Sequence, residues 1–164
     1  MVYAPPVSQL SRYAPNNRTM TQPYDVFISF KNLSADGTPS RDSHLASELY
    51  RFLSAKGLTV FFSNISLEKL GTAQYKKAID AALDAAHTLV AVGTSGANLD
   101  SQWVRYEWDS FFNDILSGLK PQGRVFAYIE GTDIGALPRA LRQSQTFTHG
   151  PGSLEQVYNG QFFF

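Results

Sequence analysis

Short continuous apolar runs alternate along the chain with longer stretches in which apolar positions recur every three or four residues. Tyr24 to Phe30, rich in β-branched and aromatic residues, predicts a first strand. A polar loop follows to about Arg41, punctuated by Gly37 and Pro39. Leu45, Leu49, Phe52 and Leu53 then fall on one helical stripe that Gly57 closes. Thr59 to Phe62 predicts a second strand, and the loop Ser63 to Gly71 leads into a helix carrying Tyr75, Ile79, Ala82, Leu83 and Ala86 on one side. Thr88 to Val92 predicts a third strand, followed by a loop of Gly, Ser and Asn. A third helix starts near Asp100 or Ser101, with Val104, Trp108, Phe111, Ile115 and Leu116 as its core face, and the stretch Gly118 to Gly123 breaks it. Arg124 to Ile129 predicts a fourth strand, Leu137 to Arg142 a short helix after Pro138, and Gln145 to Thr148 an edge strand.

The strands are unbroken apolar runs, not in–out alternations, and they alternate with helices. That is the mark of an α/β fold in which a central parallel sheet has helices on both faces. In such a sheet the functional crevice lies outside the carboxyl ends of the strands, so the loops after Phe30, Phe62, Val92 and Ile129 are where chemistry belongs. Three segments follow: a flexible, Pro- and Asn-rich arm over residues 1–23, a domain over 24–148, and a C-terminal extension over 149–164 with a short helix near Ser153 to Tyr158 and a terminal Phe162-Phe163-Phe164.

Composition narrows the function. A length of 164 residues supports one sizeable core. Lys and Arg number 14 and Asp and Glu 14, so no bulk charge draws the chain to nucleic acid or to an anionic membrane. Cysteine is absent, which excludes disulfides, thiolate nucleophiles and Cys-ligated metals. No apolar run approaches the roughly 20 residues a membrane helix needs, and the first 22 residues carry no apolar signal-peptide core, so a cytoplasmic protein is expected.

Several chemistries lack their residues. No Gly-x-Gly-x-x-Gly follows the first strand and no Walker loop occurs. Gly93-Thr94-Ser95-Gly96 is one residue short of a nucleophile elbow, and His44, His87 and His149 are not paired at metal spacing. One constellation remains, on the third helix. At about 100° per residue its core face spans about 40° of arc, with Glu107 about 60° to one side and Trp103 about 40° further round. Spacing alone leaves two readings: a half-buried carboxylate beside an indole at the crevice rim, or a solvated glutamate and an ordinary core tryptophan.

Three motifs resemble one family. Tyr24-Asp25-Val26-Phe27-Ile28-Ser29-Phe30-Lys31 is similar to the first box of TIR (Toll/interleukin-1 receptor) domains. Val60-Phe61-Phe62, a loop, and Leu67-Glu68-Lys69-Leu70-Gly71 resemble the family's second strand and BB loop. Ser101-Gln102-Trp103-Val104-Arg105-Tyr106-Glu107 resembles the Trp-x-x-x-Glu motif of TIR enzymes. The chain departs from many relatives in carrying Ser63 where they have Asp, and Asn32 after Lys31 where animal relatives have a second basic residue. The resemblance implies a flavodoxin-like fold with a five-stranded parallel sheet and, for the enzymes, cleavage of NAD⁺ at the nicotinamide–ribose bond. NAD⁺ is then substrate and no cofactor is needed. Glu107 takes the catalytic position; Phe30, Lys31, Lys69, Leu70 and Trp103 are expected to bind NAD⁺, with Phe30 and Trp103 covering its rings. The resemblance also implies self-association near the BB loop. It brings in two further comparisons: a stand-alone bacterial TIR is similar to the signal-making component of antiphage systems such as Thoeris, which act on an effector through a cyclic ADP-ribose isomer, whereas adaptor TIRs only assemble.

Overall fold

The structure, a computed structural model, describes residues 23–62 and 72–161. Five strands form one sheet: β1 (Tyr24–Phe30), β2 (Val60–Phe62), β3 (Ala86–Gly93), β4 (Arg124–Ile129) and β5 (Gln145–Thr148). Their spatial order is β2-β1-β3-β4-β5 and every neighbouring pair is parallel. The helices are α1 (Arg41–Ala55), α2 (Thr72–Ala85), the single turn α3 (Gly96–Leu99), α4 (Gln102–Leu116), the short α5 (Arg139–Arg142) and α6 (Ser153–Gln161). A 3₁₀ turn, Ile134–Ala136, precedes α5.

A strand's side chains point alternately to the two faces, and here both faces are covered. Phe27, Leu89, Ala91, Ala127 and Ile129 pack under α2, α4 and α5, against Ile79, Val104, Phe111 and Leu141. Val26, Ile28, Val90, Val92 and Tyr128 pack under α1 and α6, against Leu45, Leu49, Leu53 and Val157. Burial on both faces is what the unbroken apolar strand runs required.

Local chemistry sets the element ends. Ser40 caps α1: its Oγ accepts from the Ser43 N–H at 2.9 Å and donates to the Lys31 carbonyl, which pins the loop after β1 to the helix start. Gly57, at φ +93°, lets the chain leave α1 in the left-handed region. Ser101 sits at the start of α4 in extended conformation, but its hydroxyl donates to the Asn98 carbonyl and not into α4.

Three expectations need correction. Ala86 belongs to β3, not to the preceding helix, although it packs in the same core layer. The loop after Val92 contains the turn α3, which Ser95 caps through the Asn98 N–H at 3.1 Å. Leu116 is not a core residue: it is the last residue of α4 and is 80% exposed, whereas Ile115 beside it packs against the core. The N-terminal arm to residue 22, the loop Ser63 to Gly71 and the three terminal phenylalanines lie outside the described residues.

Candidate active site

The strand order reverses between β1 and β3, so the loops leaving their carboxyl ends part to opposite sides and open a crevice. Two contacts define this place. The first is a clasp. Asp42, fully buried in the first turn of α1, accepts through one carboxylate oxygen from the Thr94 hydroxyl at 2.6 Å and the Thr94 N–H at 3.2 Å. It therefore joins the segment after β1 to the segment after β3.

The second contact lies beneath the opposite helix layer. Glu107, in the second turn of α4, is only 6% exposed. Its Oε1 accepts a hydrogen bond of 2.6 Å from the hydroxyl of Ser29, which is fully buried next to the carboxyl end of β1. Ser29 pairs in register with Ala91 of β3, so the carboxyl reaches the sheet at the strand reversal. Burial disfavours the charged form and raises the Glu107 carboxyl to about 8, while the Ser29 hydrogen bond pulls it back down. Of the two readings that helix spacing left open, a half-buried rim carboxylate and a solvated one, neither holds: Glu107 is buried. The reason is packing: α4 lies over β1, β3 and β4 and against α2, so the flank beside its apolar stripe is enclosed.

Trp103, one turn earlier, is 39% exposed and occupies a different environment. Its indole stacks on Tyr75 of α2 at 5.9 Å and meets Tyr106 edge-on at 5.9 Å. It lines an open groove of about 460 Å³ with Lys76, Gln102, Arg105, Tyr106 and Asp109. Its two cationic side chains are already engaged: Lys76 with Asp80 at 2.8 Å and with the Tyr106 hydroxyl at 3.1 Å, and Arg105 with Asp100 at 3.0 Å.

Phe30 does not share a face with Trp103. It follows Ser29, so its side chain points to the other side of the sheet, where it is buried and stacked on Phe62 at 4.9 Å. Phe30, expected with Trp103 to cover the rings of one substrate, is thus a core aromatic under α1, on the face opposite Trp103. Lys31 begins the loop after β1 and is half-buried. Lys69 and Leu70 lie outside the described residues. The structure thus brings Glu107 to the strand reversal, leaves Trp103 on the adjoining groove and puts Phe30 behind the sheet.

Ser29 and the Asp42–Thr94 clasp escaped the sequence reading. The signal for Ser29 was present: it is the lone hydroxyl near the carboxyl end of an apolar run, and it has the parity of Phe27. Asp42 carried a weaker one, an acidic residue two positions after a helix-capping serine. Beside the clasp, the bidentate pair of Arg41 with Glu130, at 2.7 and 2.8 Å, ties the start of α1 to the end of β4.

The sequence profile of the TIR domain matches residues 26–154. The chain belongs to the TIR domain family. The five-stranded parallel sheet with helices on both faces is the flavodoxin-like TIR fold. Among solved structures, this TIR domain is similar to a metazoan TIR-STING receptor from C. gigas, at 18% identity and a TM-score of 0.55, over 77% of this chain. The match covers 38% of that receptor, and at this identity the likeness is one of fold. Comparison with curated proteins finds no match. In this TIR domain the described helices include none long and apolar enough to cross a membrane.

Proposed function

We propose that the chain is an NAD⁺ glycohydrolase or cyclase that breaks the nicotinamide–ribose bond, releasing nicotinamide and ADP-ribose or a cyclic ADP-ribose isomer. The observation that carries this reading is the Glu107 carboxyl: buried beside the strand reversal, held by one hydroxyl, and raised to about 8 by burial. Maintaining such a group costs stability, and perturbed carboxyls of this kind cluster at functional sites.

The chemistry suits one carboxylate. The substrate's nicotinamide ring carries a positive charge, and a buried carboxylate without a counter-cation favours a cation beside it. As the C1′–N bond breaks, its electron pair leaves with the nicotinamide nitrogen, which becomes neutral, so no general acid is required. The positive charge moves to an oxocarbenium-like ribose, as in glycoside cleavage. Glu107 stabilises that charge and hydrogen-bonds the ribose hydroxyls in a water-poor cleft. Water then adds at C1′ to give ADP-ribose, or an adenine nitrogen closes the ring to give the cyclic isomer. Trp103 supplies an exposed aromatic face for the substrate, and Lys31 together with the Lys69–Leu70 segment supplies further contacts. The same reading places the activity in cytoplasmic immune or antiphage signalling, with self-association near the BB loop and an effector that responds to the nucleotide product.

A second reading, a non-catalytic TIR–TIR interaction module, is favoured by one observation: among the described residues Glu107 lines neither of two grooves beside α4, one at Trp103 and one toward Pro138. Incubation with NAD⁺ at high protein concentration, with chromatography of the products, separates the two. Nicotinamide release by the wild type and its loss in Glu107→Gln is the expected result. An inactive wild type at every concentration leaves the interaction module in front.

A further inference from the structure

The contact between Ser29 and Glu107 joins residues 78 positions apart. It is short, 2.6 Å, and both side chains are buried. Among the described residues it is the carboxyl's one hydrogen bond, made to Oε1. Among the described residues the same core layer is apolar: Phe27 precedes Ser29 on the same face of β1, Ala91 lies alongside it on β3, and Val104 and Phe111 stand one turn either side of Glu107 on α4. A carboxyl in that setting has two needs that the apolar neighbours cannot meet. It needs a fixed rotamer, and it needs a donor for whatever negative charge it carries.

We propose that Ser29 is a positioning residue: its hydroxyl fixes the rotamer of Glu107 and donates to the carboxylate form, so that Glu107 presents its other oxygen to the ribose. This rests on the NAD⁺-cleaving reading of Glu107. It adds a residue from a different element, and with it a specific division of labour. A serine hydroxyl has one proton to give. While it is given to Oε1, the remaining lone pairs of Oε2 are open to substrate hydroxyls. The strand carries the hydroxyl, so the donor is placed by the ladder, with Ser29 opposite Ala91 and Ile28 opposite both Phe62 and Val90. A rigid sheet position holds a catalytic group more exactly than a loop does.

Among the described residues no charge competes for control of the carboxyl. On α2, Lys76 and Asp80 pair with each other and with Tyr106. On α4, Arg105 pairs with Asp100, which follows α3, and Asp109 lies at the groove on the outer side of the helix. The charged groups on the strands packed beneath α4, Asp25, His87 and Arg124, sit at the opposite ends of β1, β3 and β4. Among the described residues, then, burial and the Ser29 hydroxyl are the two influences on Glu107.

Removal of the hydroxyl has a signature that loss of packing does not produce. In Ser29→Ala the carboxylate form loses its donor while the burial stays, so Glu107 ionises at higher pH by about one unit or more, the worth of one hydrogen bond to a charged group. The acidic limb of kcat/KM moves up by the same amount, and at a fixed pH below it the rate falls about tenfold or more. Ser29→Thr restores the hydroxyl and returns both. Ser29→Cys keeps the side-chain volume with a weak donor and falls between. The experiment is twofold. The ionisation of Glu107 is followed by infrared difference spectroscopy of its carboxyl, assigned with Glu107→Gln, in wild type, Ser29→Ala, Ser29→Cys and Ser29→Thr. The NAD⁺-cleavage pH profile is recorded on the same proteins. An upward shift in Ser29→Ala and Ser29→Cys, reversed in Ser29→Thr, supports the proposal. If Ser29→Ala does not fold, Ser29→Cys carries the same requirement. A Glu107 titration that stays in place when the hydroxyl is removed overturns it, whatever the activity. Because that titration is read without turnover, an inactive wild type counts against NAD⁺ cleavage and leaves the measurement on Ser29 intact.

Discussion

At the scale of single residues, Glu107 couples chemistry to stability with opposite signs. Its folded-state carboxyl titrates near 8 against 4.5 for an ordinary glutamate. Below 4.5 both folded and unfolded chains hold the proton and nothing is lost. As pH rises toward 8 the unfolded chain ionises first, so the fold loses up to about 1.4 kcal/mol per pH unit until the folded carboxyl ionises too. Glu107→Gln removes that loss. The variant is expected to be more stable than wild type at pH 8 and to show a flatter pH dependence, checked by urea unfolding at pH 5, 6.5 and 8. Its turnover is expected to fall roughly 10²–10³-fold, the scale of one electrostatic group aimed at a transition state. In the wild type, kcat/KM should rise about tenfold per pH unit and level off near 8, since the proposed mechanism works through the carboxylate form. A profile that is flat from pH 6 to 9 would contradict that assignment. The sequence marked Glu107 by its motif, but helix spacing placed it on a flank. Its burial depends on how α4 sits over β1 and against α2, and a one-dimensional pattern does not carry that angle.

At the scale of elements, the strands were legible because burial on both faces writes itself as unbroken apolar runs; β4 and β5 were read to the residue. Helix ends were less so. Alanine favours a helix, and only the pairing of Ala86 with Tyr24 puts it in β3, while the turn α3 has only four residues, too few to show a period. Why α3 contains a glycine is plain in the fold. A Cβ on Gly96 would sit 2.0 Å from the carbonyl oxygen of Ala136, so the start of α3 lies flush against the 3₁₀ turn before α5. Gly96→Ala is therefore expected to destabilise by about 1–3 kcal/mol, because backbone and not a flexible side chain must give way. Gly135→Ala, in that same turn, meets nothing within 4 Å and is expected to be neutral within about 0.5 kcal/mol. Chemical denaturation of the two variants side by side checks the contrast; equal losses would mean that the flush contact is not what fixes this corner.

At the scale of the whole molecule, a formal charge of zero leaves little long-range repulsion between copies. The segment between β2 and α2 resembles the BB loop, near which self-association is proposed. Specific activity is expected to rise with protein concentration, and charge reversal at Lys69 or truncation of Leu70 should lower it without unfolding the domain. Analytical ultracentrifugation paired with NAD⁺ assays over the same concentrations provides the check. Constant specific activity in a proven monomer would show that one copy holds a complete site.

The pairing of Ser29 with Glu107 also has a consequence in time. The two residues are 78 positions apart, and between them β2, α2 and β3 must all be laid down. A chain emerging from the ribosome holds Ser29 early but has nothing to bury Glu107 against until β3 has paired with β1 and α4 has folded across them. Until then the glutamate is hydrated and titrates like any other, so an incomplete chain lacks the buried carboxyl on which the proposed activity rests. On refolding, the shifted Glu107 titration should be among the last native properties to return, which makes it a clock for the completion of the fold.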